Sequence, residues 1–129
     1  MTGERPRVLV VADDLIWSTR LADHLRAAGA EPLVIRSAAA SDHAAGAIAA
    51  VVDLTARAYD GVAIVGANKA AGRAVLAVGQ HDDHDLRKRA LAAGADKVLA
   101  YRKLFEDGPA TLRAWLDSVA RNAEETISR

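Results

Sequence analysis

Short apolar runs rich in β-branched residues recur along this chain, and nearly every one leads into a stretch of helical period. That alternation restricts the fold more than any other feature. The run "RVLVVA" (7–12) is short and continuously apolar, as a strand covered on both faces must be. In "DLIWSTRLADHLRAAGA", Ile16, Leu21, Ala22, Leu25 and Ala28 keep roughly helical spacing, and Gly29 is a natural stop. "EPLVIRS" (31–37) reads as a second strand, less apolar and nearer a sheet edge. "AAASDHAAGAIAA" (38–50) reads as a weak helix with Ser41 as its N-cap, and "AVVDLT" (50–55) as a third strand. "AYDGVAIVGANKAAG" (58–72) has a strand-like Val-Ala-Ile-Val centre. It is assigned to a helix because "RAVLAVG" (73–79) is the better strand, and a parallel strand needs a crossover before it. "DDHDLRKRALAAGA" (82–95) is a capped helix with acids in its first turn, and "DKVLAY" (96–101) is the fifth strand. A last helix closes the chain, with Pro109 in its first turn and Leu112, Trp115, Leu116 and Val119 on its inner face. Its polar end, from about 120 to 129, is expected to fray.

Strands and helices alternating at these lengths predict an α/β fold, a three-layer (βα)5 doubly wound parallel sheet. Right-handed crossovers leave few topologies for five strands, of which 2-1-3-4-5 is the common one. One domain over residues 1–129 is expected, since no linker or repeat interrupts the pattern. Hydrophobic residues make up 51% of the chain, enough to bury a core. Aromatics are only 4%, so alanine-rich helices packing closely on a sheet are expected. Seventeen basic residues balance seventeen acidic ones, which gives no electrostatic footprint for nucleic acid or an anionic membrane. Cysteine is absent, no apolar stretch is long enough to span a bilayer, and "MTGERPRVLVV" lacks the layout of a leader. The expectation is a cytoplasmic protein.

Strand ends carry the chemistry. Ligands of such sheets sit beyond the C-terminal strand ends, at the switch point between strands 1 and 3. Asp13 and Asp14 follow strand 1, and Asp53 lies at the end of strand 3. The topology would bring three carboxylates into one cleft, where their repulsion is costly unless a cation sits among them. Oxygen ligands of this kind suit Mg²⁺. Asp-Asp before a helix is also a good N-cap, and a lone acid after a strand often just begins a loop.

The acidic pair in "VVADD", the single Asp in "VVDLT", and "LRKRALAAGADKVLAY" together resemble the receiver domain of two-component response regulators, and the likeness covers nearly the whole chain. Receivers accept a phosphoryl group from a histidine kinase on the strand-3 aspartate. The resemblance therefore implies Asp53 as phospho-acceptor, with Asp13, Asp14 and Asp53 holding Mg²⁺. Two positions depart from the family. The Thr or Ser that ends strand 4 and couples phosphorylation to shape is here Gly79, counted back from "AGA" (93–95). The Lys that ends strand 5 falls by straight counting on Tyr101, with Arg102 at the following Pro position. Lys103 lies two residues on, on the same strand face, and would supply the cation if the strand or loop is longer.

His81 and His84 lie among Asp82, Asp83 and Asp85. Their spacing admits a metal pair, but acids capping a helix explain the cluster as well. His81, close behind Gly79, is also a candidate to replace the missing hydroxyl. "VGANKAAG" matches no nucleotide-binding loop. Trp17 and Trp115 are read as packing residues. Tyr101 is read as partner-facing or as cover for the sheet edge, and "YRKLF" as a protein-contact patch.

The function expected from the resemblance is a stand-alone receiver-like signalling protein, not an enzyme. Its partners would be a histidine kinase or phosphotransfer protein and a downstream protein. The downstream partner would be met through helix 82–95, strand 96–101 and the last helix, by a monomer or a homodimer. The alternative is a pseudo-receiver that binds partners without phosphorylation. A small α/β phosphoryl-transfer enzyme is a weaker reading. A haloacid-type phosphatase would want an Asp two residues after the nucleophile, where Thr55 stands.

Overall fold

The structure is a computed structural model that describes residues 5–37, 46–80 and 82–128, with side chains from 123 onward outside the description. Residues 38–45 of the helix expected over 38–50, with its cap Ser41, lie outside the described residues, as does His81. The elements run β1 (Arg7–Val11), α1 (Leu15–Ala27), β2 (Glu31–Ile35), β3 (Ala47–Asp53), α2 (Gly61–Ala70), β4 (Ala74–Gly79), α3 (His84–Ala93), β5 (Lys97–Ala100) and α4 (Tyr101–Ser128). All five strands are parallel, in the order β2-β1-β3-β4-β5. The fold class and strand order are those the sequence predicts. No helix among the described residues is long and apolar enough to cross a membrane.

The sheet separates two apolar layers by the period-2 rule of strands. Val8, Val10, Ala49, Val51, Leu76 and Val78 face one way, onto Leu21 and Leu25 of α1 and Leu112 and Trp115 of α4. Leu9, Val11, Ala50, Val52, Val75 and Ala77 face the other, onto Ile64 and Val65 of α2 and Ala90 of α3. Strands covered on both faces have no polar side to show, hence the continuous apolar runs in the sequence. β2 and β5 are the edges, and of the five strands β2 alone contains a proline, Pro32, which cannot donate to a ladder.

Local chemistry sets the helix ends. Asp14 caps α1 by accepting from Trp17 N, and Gly29, at φ +96°, turns the chain after it. Asp60 caps α2, accepting from Val62 N and Ala63 N, which holds "GVAIV" as a helix despite its strand-like composition. Asp83 caps α3, so the capping reading of the 82–85 acids holds there.

Four expectations are corrected. β3 begins at Ala47, so residues 47–50 belong to a strand and not to the preceding helix. Ile16 is 68% exposed and lies off the buried face of α1, which is Ser18, Leu21, Ala22 and Leu25. β5 stops at Ala100, and Tyr101 already starts α4. The last helix therefore begins at Tyr101, eight residues ahead of Pro109. It breaks at Asp107 (φ −152°, ψ 42°), where Pro109 offers no N–H and its ring would clash with the preceding turn.

Candidate functional site

The C-terminal ends of β1 and β3 are neighbours, with Val11 opposite Val52. That register sets Asp13 and Asp53 on adjoining strand ends, and β4 ends alongside at Gly79. Asp53 is only 2% exposed. Every hydrogen bond to its carboxylate among the described residues lands on Oδ1. Thr55 supplies two, from its backbone N and from its hydroxyl, both at 2.9 Å. The third comes from the Tyr101 hydroxyl, whose oxygen also lies against Thr55 Oγ1. The Tyr101 ring rests on Trp17, with centroids 4.3 Å apart. Burial, and next the bond to Asp53, push the Tyr101 hydroxyl well above its ordinary pKa, so it stays a proton donor.

A second tyrosine closes the floor. The Tyr59 hydroxyl lies between Val11 O (2.6 Å) and Asp53 O (2.9 Å), its single proton shared between the carbonyl ends of β1 and β3. Burial pushes its pKa well up too, followed by the charges of Asp53 and Asp13.

The other two acids are engaged elsewhere. Asp13 Oδ2 accepts from Arg57 N (2.8 Å) and Ala58 N (3.0 Å), fixing the loop between β3 and α2. Asp14 Oδ1 accepts from Trp17 N at 2.9 Å as the α1 cap. Among the described residues no group of three or more acidic, His or Cys side chains is placed to hold a metal ion. Each of the three carboxylates has one oxygen already taken by N–H or O–H donors. As arranged, they do not form the converging trio that Mg²⁺ would need.

Lys103 does not sit on a strand face. The longer strand that would have carried it there is absent, and it is exposed on the first turn of α4. Among the described residues it makes no hydrogen bond or ion pair, and no Lys or Arg pairs with Asp53. The residue found at the counted position is Tyr101, turned inward onto Asp53 rather than outward to a partner. A Cβ built on Gly79 would meet only Leu54, at 3.6 Å, so the site has room for the missing side chain but does not carry it. His84 stands at the exposed start of α3.

Two residues at the centre, Thr55 and Tyr59, went unassigned from sequence. A Thr two residues after an Asp can fold its hydroxyl and N–H back onto that carboxylate, so the "DLT" spacing was a usable signal for Thr55. Nothing local marks Tyr59, whose partners come from two different strands.

No family model matches the chain, and no curated protein matches its sequence. Solved structures do. A response-regulator receiver domain protein from Clostridium thermocellum superposes with a TM-score of 0.78 at 18% identity, over 94% of this chain and 98% of that one. A CheY-like response regulator receiver domain protein from Methanospirillum hungatei gives 0.74 at 21% identity, over 92% and 99%. A response regulator protein from Burkholderia pseudomallei, with a phosphorylated aspartic acid and a calcium ion in its structure, gives 0.69 at 20% identity, over 95% and 71%. The fold of this chain is that of response-regulator receiver domains.

Proposed function

We propose that this protein is a receiver-fold signalling module whose output is a protein–protein contact that does not depend on phosphorylation. One observation carries the reading: the Tyr101 hydroxyl, at the counted position of the family's Lys, bonds with Thr55 to Oδ1 of the buried Asp53, and no Lys or Arg among the described residues pairs with that carboxylate. A phosphoryl-accepting aspartate needs a cation to offset developing charge and a metal to bridge the oxygens. Here the hydroxyl stands where the family's Lys would count. It is neutral, held by Trp17 from behind, and kept protonated by burial. Gly79 offers no hydroxyl to follow a phosphoryl group. The bonds around Asp53 hold the ends of β1, β3 and the start of α4 in one arrangement, which suits a fixed contact surface better than a switch.

A second reading has its own support, the juxtaposition of Asp53 with Asp13 on adjoining strand ends. In it Asp53 accepts a phosphoryl group from a histidine kinase or phosphotransfer protein, with Asp13 and Asp14 recruiting Mg²⁺ once Tyr101 swings away.

One experiment separates the two. The protein is incubated with Mg²⁺ and acetyl phosphate, and separately with beryllofluoride, and followed by phosphate-affinity electrophoresis and Trp17 fluorescence, with Asp53→Ala as control. The interaction-module reading expects no phosphoprotein and no response that depends on Asp53. Stoichiometric phosphorylation lost in Asp53→Ala would overturn it and establish the second reading.

A further inference from the structure

The three most exposed large apolar side chains among the described residues stand at the starts of two neighbouring helices: Leu15 (63%) and Ile16 (68%) on α1, and Phe105 (62%) on α4. We propose that the seam between these helix starts docks an amphipathic helix of another protein, one that carries a single carboxylate between apolar side chains. The inference deepens the interaction-module reading and rests on it, naming the face and the chemistry of the partner.

Contacts between the two helices build the seam. The Trp17 and Tyr101 ring centroids lie 4.3 Å apart. One turn further along both helices, the Arg20 guanidinium lies over the Phe105 ring, 4.5 Å from its centroid. Ile16 precedes Arg20 by a turn, so aliphatic, cationic and aromatic groups follow one another at helical intervals. Side chains at i and i+4 of a third helix match that spacing. Leu21 of α1 and Leu104 of α4 are fully buried beneath, so the face is formed before a partner arrives and little ordering is left to oppose docking. The face expected from the family, made by α3, β5 and α4, has less to offer. Its one strongly exposed large apolar side chain among the described residues is Leu91, at 43%.

Charge selects the partner. Among the described residues Arg20 has no carboxylate partner. Of the acids on the same stretches of helix, Asp23 pairs with Arg26 at 2.9 Å and Glu106 with Arg102 at 3.0 Å. A guanidinium held against an aromatic ring is preset to take a carboxylate through two N–H groups. Arginine and aromatic side chains also carry a large share of the energy of protein interfaces. Asp13 and Asp14 precede α1, and Asp14 is exposed, so a partner rich in acids is repelled there. One carboxylate, flanked by apolar side chains for Ile16 and Phe105, satisfies both conditions.

The probe is a helical peptide of about 18 residues, long enough to hold its helix, with leucines one turn on either side of a central glutamate. Its twin carries lysine at the centre. Each is titrated into the full chain without a phosphodonor, followed by Trp17 emission and backbone amide resonances. Saturable binding that shifts the starts of α1 and α4 is expected, with the glutamate peptide about tenfold tighter than its twin. Arg20→Glu should reverse that preference. Phe105→Ser should weaken binding by about tenfold, and Leu91→Ser should leave it unchanged. Absence of saturable binding, shifts centred on α3, or an unchanged preference in Arg20→Glu would each overturn the proposal. Self-association in sedimentation that Phe105→Ser abolishes would also overturn it, by making a second copy of this chain the occupant. Failure of the interaction-module reading is seen separately, as phosphorylation of Asp53 by acetyl phosphate.

Discussion

Replacing Tyr101 by Phe tests the centre of the molecule most directly. Phe keeps the ring against Trp17 and loses only the hydroxyl that bonds Asp53 and meets Thr55. Asp53 is 2% exposed, so water cannot readily replace the lost donor, while two bonds from Thr55 remain. A hydrogen bond to a charged group contributes about 1.5–3 kcal/mol. A loss of about 2 kcal/mol is expected, or a fall in Tm of roughly 5–10 °C for a chain of this size. Urea unfolding should show a lower midpoint at unchanged slope. The same change in an Asp53→Ala background should cost less than about 0.5 kcal/mol, because the partner is gone. Equal costs in both backgrounds, or no cost in either, would refute the pairing and with it the account of Tyr101 as the partner of Asp53 Oδ1.

Further outcomes follow from the same geometry. The chain's two tyrosines, Tyr59 and Tyr101, both hold their protons more tightly folded than unfolded. Their contribution is fully present below about pH 10 and is lost above it, at about 1.4 kcal/mol per pH unit for each. Tyrosinate absorbance should therefore appear only together with alkaline unfolding, and an ordinary titration of either tyrosine in the folded protein would contradict this. Gly108→Ala would drive a Cβ to 2.7–2.8 Å from the His24 ring, where α4 crosses α1. About 1–3 kcal/mol of destabilisation is expected, relieved by His24→Ala in the same chain, both read by thermal unfolding. Gly79→Ser meets only ordinary contacts with Leu54 and should leave stability within about 0.5 kcal/mol of the parent, as urea denaturation would show. Asp60→Ala removes two bonds at the start of α2 and should cost about 1 kcal/mol by the same measurement.

The extent to which the site was legible follows from how local each signal is. Asp14 as a cap needs only the three residues after it, and Asp53 at a strand end needs only the apolar run before it. Both stand where the sequence puts them. Ile16 fails for the complementary reason: its spacing fits the apolar stripe, but burial depends on what lies opposite, and Ile16 is left largely exposed at the first turn of α1. Lys103 fails because its placement rested on the length of β5, and one residue's difference in where a strand becomes a helix turns a side chain to another direction.

The sequence by itself determined the parallel α/β architecture and which strand ends carry acids, and it narrowed the strand order to a few choices. Periodicity and turn residues, which act over a few neighbouring residues, fix the first two, and the handedness of the crossovers limits the third. Tertiary structure alone decided what each acid does. Asp13 turns to Arg57 N and Ala58 N, 44 and 45 residues away, and Asp53 takes a hydroxyl from Tyr101, 48 residues on. A carboxylate can hold a metal, a phosphoryl group or a hydrogen-bond donor with the same two oxygens. Which one it meets depends on the strands that come to lie beside it.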